Sequence, residues 1–435
     1  MKFLYPRYFK REPEIIADVP IRYIKSISRK LPVLIIIKDS HLFPVKVNSV
    51  KVNIISKQKN ITENFSINLN LSQMYYSKIL EVDLIDIQTE QILQITVKIK
   101  IEVNGKVKTI RNDNFADIPK KPFRCYYAEN ILPLPEFWFA GDVHYHSIYT
   151  SDQVEFGADI ESTVKMAKVL GLSWLFITDH SYDLDDREEC YTKNDPVFPK
   201  WEKLHREINN INEIDFKVIA GEEVSIGNSK GKNVHMLAIN HNEFIEGYGD
   251  SAEVWFKNKP VRFLKEIKDL HSDNNLFIAA HPNEEVPFMQ KLTLRRGNWS
   301  KTDFLESGIR FLQIINNSRL PDVFESINYW KSLLLEGYRF FILAGNDAHG
   351  NFNVMRQIKT PFIKLFASGD QVFGKFFTAF RFKGNEPIKA IKNGEIIVSN
   401  GPFLNFWLKN KKYPISSVAN CNKANLIFET RTSHE

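Results

Sequence analysis

The sequence predicts a two-part fold: an all-β, sandwich-like domain over 1–135, then an α/β domain closed as a barrel over 136–400. A short β extension over 401–435 completes the chain. Three observations carry this reading. Residues 32–110 alternate apolar and polar side chains at period two. From about residue 137, short apolar strands alternate with helical stretches. Histidines and carboxylates recur at the ends of those later strands.

Taken in order, PVKVNSVKVNII, FSINLNL, ILEVDLIDI and ILQITVKIKIEV each read as a strand with one buried face. Asn104-Gly105, between IKIEV and KVKTI, is a two-residue hairpin signal. Several strands without intervening helices make a sandwich. No motif in this part carries chemistry, so packing, targeting or oligomerisation is its default role.

The second part runs FWFAGDVHYH, a helix over 157–170, SWLFITDH, and a helix over about 197–213. KVIAGEEVS, HMLAINH and a helix over 260–273 follow, then LFIAAHP, FLQIINN, a helix over 321–336 and FFILAGNDAH. Such alternation predicts a parallel sheet, most economically closed as a barrel. The Phe-rich run over 351–384 has no clear place. PIKAIKNGE reads as a helix ending at Gly394, and IIVSNGPFLNFWLK and NLIFET read as closing strands.

Composition narrows the class. A chain of 435 residues exceeds the size that one core usually serves, so more than one domain is expected. With 43% hydrophobic and 25% charged residues the chain is neither disordered nor fibrous. A net charge of +6 mildly favours anions, but no dense Lys/Arg block marks a nucleic-acid surface. The 3 cysteines, Cys125, Cys190 and Cys421, are far apart, which argues against a disulfide framework or thiolate cluster. MKFLYPRYFKREPEII lacks the apolar core of a secretory signal, and LPVLIII is too short to span a bilayer. A cytoplasmic location is expected.

The chemistry lies in a constellation. Of 11 histidines, His144, His146, His180, His235, His281 and His349 fall on or just past a predicted strand, joined by Asp152, Glu223 and Asp347. C-terminal strand ends of a parallel barrel converge at one face. So many imidazoles and carboxylates at one rim exceed the needs of one ion and suit Zn, Mn or Fe, with a shared carboxylate bridging two. His144-Tyr-His146 and Asp347-Ala-His349 place two donors on one side of an extended strand. Of Glu222 and Glu223 one should point inward, and Glu223 is favoured. Asp142 and Asp179 either orient imidazoles or face away. Arg319, Arg295 and Arg296 are candidates for an anionic substrate group. The segment 243–259, with Gly247 and Gly249, is long enough for a lid or a plain loop. His41, His205, His241, His271 and His434 read as structural or surface residues, and Cys190 as incidental.

In that order HxH, SD, TDH, Gly-x-Glu, a strand His, AHP and DxH resemble the polymerase-and-histidinol-phosphatase (PHP) superfamily, across roughly 137–350. AIKNGEIIVSNGPFL is further similar to its carbaryl-hydrolase-like branch. The resemblance implies a distorted seven-stranded (β/α) barrel and a trinuclear centre. His144, His146, Glu223 and Asp347 would hold one metal. Glu223 would bridge to a second held by His235 and His281, and Asp152, His180 and His349 would hold a third. A metal-bridging hydroxide would then attack a phosphate ester, with Glu223, Asp347 and His281 as the expected catalytic residues. The alternative is a carbamate, ester or amide hydrolase using the same centre. The expected partner is a small, anionic molecule; nucleic acid and membrane are not expected. A nuclease, a metal-stabilised scaffold and an amidohydrolase-type barrel are the remaining readings.

Overall fold

The computed structural model describes residues 12–116, 118–150, 157–188, 190–211, 215–247, 256, 258–316, 319–359, 364–408 and 426–432. Its N-terminal part is two stacked sheets. One holds strands Glu14–Asp18, Lys30–Lys38 and Tyr75–Asp83. The other holds Arg22–Ile24, Phe123–Ala128, Gln91–Val103, Val45–Ile55 and Asn60–Leu71, with Lys106–Arg111 paired to Gln91–Val103. The turn at Asn104-Gly105 has φ of 50° and 72°, the double left-handed geometry that matches strand twist.

The run LPVLIII is apolar without alternation because its strand is covered on both sides. Leu31, Val33, Ile35 and Ile37 face the second sheet through Val47, Val52, Ile95 and Val97. Leu34 and Ile36 face the other way, into a core shared with Tyr145, Ala348 and Phe352. The three-stranded sheet is thus a common wall between the two parts.

The second part is built on a nine-stranded sheet in the order Phe341–Ala344, Phe311–Ile315, Leu276–Ala280, Asn233–Ile239, Lys217–Gly227, Trp174–His180, Trp138–Asp142, Phe377–Arg381 and Ile396–Ser399. It is nearly closed: the Thr378 hydroxyl accepts from Ala344 N–H at 2.8 Å and donates to its carbonyl at 3.0 Å, linking the first strand of the order to the last but one. Helices are few, and the stretch expected as a helix over 260–273 is a 3₁₀ turn, Leu264–Leu270. The Phe-rich run contributes strand Phe377–Arg381, whose Phe377 and Phe380 are buried. Among the described residues no helix is long and apolar enough to cross a membrane.

Two expectations need correction. The sheet has nine strands where the resemblance implied seven, and it is mixed where alternation predicted parallel pairing. Asn233–Ile239 runs antiparallel to both neighbours, and Phe377–Arg381 does the same. The first departure has a simple cause. Between Gly227 and Asn233 the chain closes a tight hairpin, with Asn228 N–H bonded to the Lys232 carbonyl at 2.8 Å. So short a link cannot make the crossover that parallel strands require.

Candidate metal centre

Strand direction brings the candidate side chains to one rim. His180 ends Trp174–His180 and pairs in register with Glu223 on the parallel neighbour, so both side chains point to the same face. Because Asn233–Ile239 is reversed, His235 near its start lies at the same end as the C-terminal ends of the parallel strands, opposite Ser225. Tyr145–His146 pairs in parallel with Ala348–His349, which sets the His146 and His349 rings face to face at 4.1 Å. His281 follows Leu276–Ala280 and Asp347 follows Phe341–Ala344.

Three groups result whose donor atoms lie within 4.8 Å of one another: His144, His146, Glu223 and Asp347; Glu223, His235 and His281; His146, His180 and His349. Glu223 belongs to two of them. Its Oε2 lies 3.3 Å from His144 Nε2, 3.3 Å from His146 Nε2 and 3.0 Å from His180 Nδ1. Its Oε1 lies 2.6 Å from His235 Nδ1 and 3.2 Å from His281 Nε2. Asp347 Oδ1 is 3.3 Å from His144 Nε2 and 3.0 Å from His146 Nε2. Asp152 lies outside the described residues.

This donor set fits divalent cations. His144 Nε2 and His146 Nε2 are 3.0 Å apart and aimed at each other, an arrangement natural for two lone pairs converging on one ion. The electrostatics agree. Burial opposes charge on His144, but Asp347 and Glu223 outweigh it and push the imidazole up to about 10. Burial likewise opposes charge on the carboxylates. The imidazoles, His235 foremost for Glu223 and His144 for Asp347, nonetheless hold both well below the usual carboxylate range. Two buried carboxylates therefore demand positive charge, which protons or metal ions can supply.

Surrounding groups set the tautomers. Gln313 donates its amide N–H to the Gly345 carbonyl and to Asn316 Oδ1, both at 3.0 Å, so its Oε1 must accept. That oxygen is 2.8 Å from His144 Nδ1, which therefore carries a proton and makes Nε2 the nitrogen that faces the centre, for a proton or a metal ion. Thr150 Oγ1 meets His146 Nδ1 at 3.1 Å, Glu284 meets His281 Nδ1 at 3.2 Å, and Gln371 donates to Asp347 Oδ2 at 2.7 Å. Sequence reasoning missed all four. Only Gln313 carried a signal, a polar residue inside the apolar strand FLQII.

Asp142 and Asp179 orient backbone, not imidazoles. Asp142 accepts from the N–H groups of His144 and Asn346, while Asp179 accepts from those of Ser147 and Thr150. Glu222 points away from Glu223, to Ile245 N–H and the Ser181 hydroxyl, and burial pushes it up to about 8. His281 and Asp347 adopt left-handed φ of 30° and 50°, a strain that surrounding structure must hold in place. A Cβ on Gly345 would sit 2.6 Å from that of His144, so only glycine admits this approach.

The arginines separate. Arg319 is exposed and pairs with Asp322, and Arg295 reaches the Gly231 carbonyl. It is Arg296 that reaches the cluster, its guanidinium beside His235 Nε2. His205, His241 and His271 each bond a backbone carbonyl instead. Of the segment considered as a lid, Gly247 packs against the Ser225 backbone, and Gly249 lies outside the described residues.

No family model matches the sequence, and no curated protein does. Among solved structures, the chain is similar to a two-domain protein from Bacteroides vulgatus containing a predicted PHP-like metal-dependent phosphoesterase. Identity is 13%, 62% of this chain and 68% of that chain are covered, and the TM-score is 0.37. A weaker likeness is to the β-glucuronidase of Parabacteroides merdae, at 12% identity, 87% of this chain, 44% of that chain and a TM-score of 0.17. At such overlap neither likeness bears on function, and the chemistry has to come from the site's own side chains.

Proposed function

We propose that the chain is a metal-dependent phosphoesterase acting on a small anionic phosphate ester at a multinuclear centre. The observation that carries this is the position of Glu223, one carboxylate oxygen turned to His144, His146 and His180 and the other to His235 and His281. A carboxylate so placed suits a bridge between neighbouring ions. His144, His146, Glu223 and Asp347 would hold one, and Glu223, His235 and His281 a second. His180 and His349, with His146 or Asp152, would hold a third; Zn, Mn and Fe all suit the donors. When bound, such ions supply Lewis acidity and bring the pKa of a water toward neutrality.

The chain's own residues do the remainder. Gln313 and Thr150 fix the His144 and His146 rings, Gln371 orients Asp347, and burial keeps bulk water from the donors. Arg296, at the edge of the Glu223–His235–His281 group, adds a cation suited to an anionic substrate. The order of motifs resembling the PHP superfamily points the same way. Its carbaryl-hydrolase-like branch favours the second reading, hydrolysis of a carbamate, ester or amide.

Purified protein supplied with manganese or zinc, then offered p-nitrophenyl phosphate, aryl esters and aryl carbamates in parallel, tests both. Metal-dependent release from the phosphate ester is expected. Release from the carbonyl substrates alone would replace the first reading by the second, and no turnover with any would leave a metal-stabilised scaffold.

A further inference from the structure

We infer that the N-terminal β-sandwich is part of the site's positioning machinery. Through Asp18 and Tyr75, its three-stranded sheet holds the loops that carry His146 and His349. This rests on the metal-centre reading above and gives the sandwich a role in it.

Asp18 ends strand Glu14–Asp18 and is buried. Its Oδ2 accepts from Phe352 N–H at 3.1 Å, three residues past His349, and lies 3.5 Å from Arg356 Nη1. Arg356 is itself sunk into the sandwich, with Nη2 on the Ala17 carbonyl at 3.1 Å and Nε on Asp113 Oδ2 at 3.3 Å. The Phe352 ring packs against Tyr145, which stands between His144 and His146. One buried carboxylate thus anchors the segment leaving His349 and, through Phe352, backs the HxH strand.

Tyr75 gives an independent tie. Its hydroxyl accepts from Asp159 N–H at 3.2 Å. The neighbouring Ala158 carbonyl takes Ile148 N–H at 3.0 Å, two residues past His146. By contrast, the apolar cluster of Val234, Met236 and Ala279, behind His235 and His281, includes no sandwich residue among the described residues. Val218 and Ala220, on the strand of Glu223, join the core shared with Ile16, Leu34 and Ile36. The two sides of the centre therefore differ. The sheet's polar ties reach the loops of His146 and His349, whereas His235 and His281 are backed by a cluster without described sandwich residues.

Cobalt titration of chelator-stripped, full-length protein, followed by visible absorption and elemental analysis, separates these cases. His349→Ala identifies the binding step that belongs to the His146–His180–His349 group. Asp18→Ala is expected to weaken that step about 10–100-fold, as loss of outer support does elsewhere, and to leave the step of the Glu223–His235–His281 group unchanged. Asp18→Asn keeps a carbonyl acceptor for Phe352 N–H and should recover most of the loss. Tyr75→Phe should weaken the same step, and it carries the test if Asp18→Ala does not fold. Unchanged binding in both variants, even with a lowered Tm, would overturn the inference, as would equal weakening of every step. Failure of the unmodified protein to take up cobalt would remove the metal reading itself, a result distinct from uptake that ignores Asp18 and Tyr75.

Discussion

Asp142 and Asn346 are joined by two hydrogen bonds, backbone N–H to Oδ1 at 3.1 Å and side-chain amide to Oδ2 at 2.6 Å. Asp142 Oδ1 also takes His144 N–H at 3.0 Å. One buried carboxylate therefore ties the loop of His144 to the loop of Asp347. An amide in its place would set N–H against the N–H of Asn346. Asp142→Asn should weaken metal binding about 10–100-fold while the chain still folds, read by metal titration beside circular dichroism. Unaltered affinity would mean the two loops hold without this link.

Removing donors is the most direct check. Asp347→Ala combined with His349→Ala takes one donor from each of two groups. Elemental analysis should find two to three metal ions in the unmodified chain, roughly one at each converging group, and a clear drop in the double variant. An unchanged content would contradict the site.

Gln313 meets the centre through His144, its amide N–H being held by Gly345 and Asn316. Gln313→Leu leaves the Nδ1 proton without an acceptor and frees the ring to flip. Metal affinity should fall about 10–100-fold, with a smaller loss in Gln313→Glu, which still accepts. Equal losses in both variants would point to packing instead of tautomer control.

Gly345 lets its backbone pass close to His144. Gly345→Ala should cost about 1–3 kcal/mol in stability through overpacking and displace His144, reducing metal content at the same time. A denaturant melt and elemental analysis of one preparation would show both changes. Full metal content in a stable variant would show that His144 can give way.

Glu222 sets a pH dependence. Burial raises its folded pKa to about 8 from an ordinary 4.5. Between those values the folded state binds a proton that the unfolded chain releases. Its effect is therefore to lower stability as pH rises from about 4.5 to 8 and to level off above. Glu222→Gln removes that slope. Thermal melts of stripped protein across this range should show the variant gaining on the unmodified chain toward pH 8. Parallel curves would mean that Glu222 does not titrate there.

Much of the site was legible because its donors are local features of strands. HxH and DxH declare a shared side through the period of two, and TDH and AHP close runs that are apolar because they are buried. The supporting groups were not legible. Thr150, Glu284 and Gln371 sit in polar surroundings where nothing in spacing sets them apart, and Gln313 gains meaning only beside His144, 169 residues away.

By itself the sequence determined the alternating strands of the sandwich, the switch to α/β near residue 137, and a set of imidazoles and carboxylates at strand ends. Tertiary structure alone decided that Asn233–Ile239 turns back and delivers His235 to the common rim, that Glu223 faces two groups at once, and that Asp18 grips the loop beyond His349. The physical reason is range. Periodicity and turn chemistry act between near neighbours, whereas strand order and buried polar pairing follow from which distant surfaces must exclude water together.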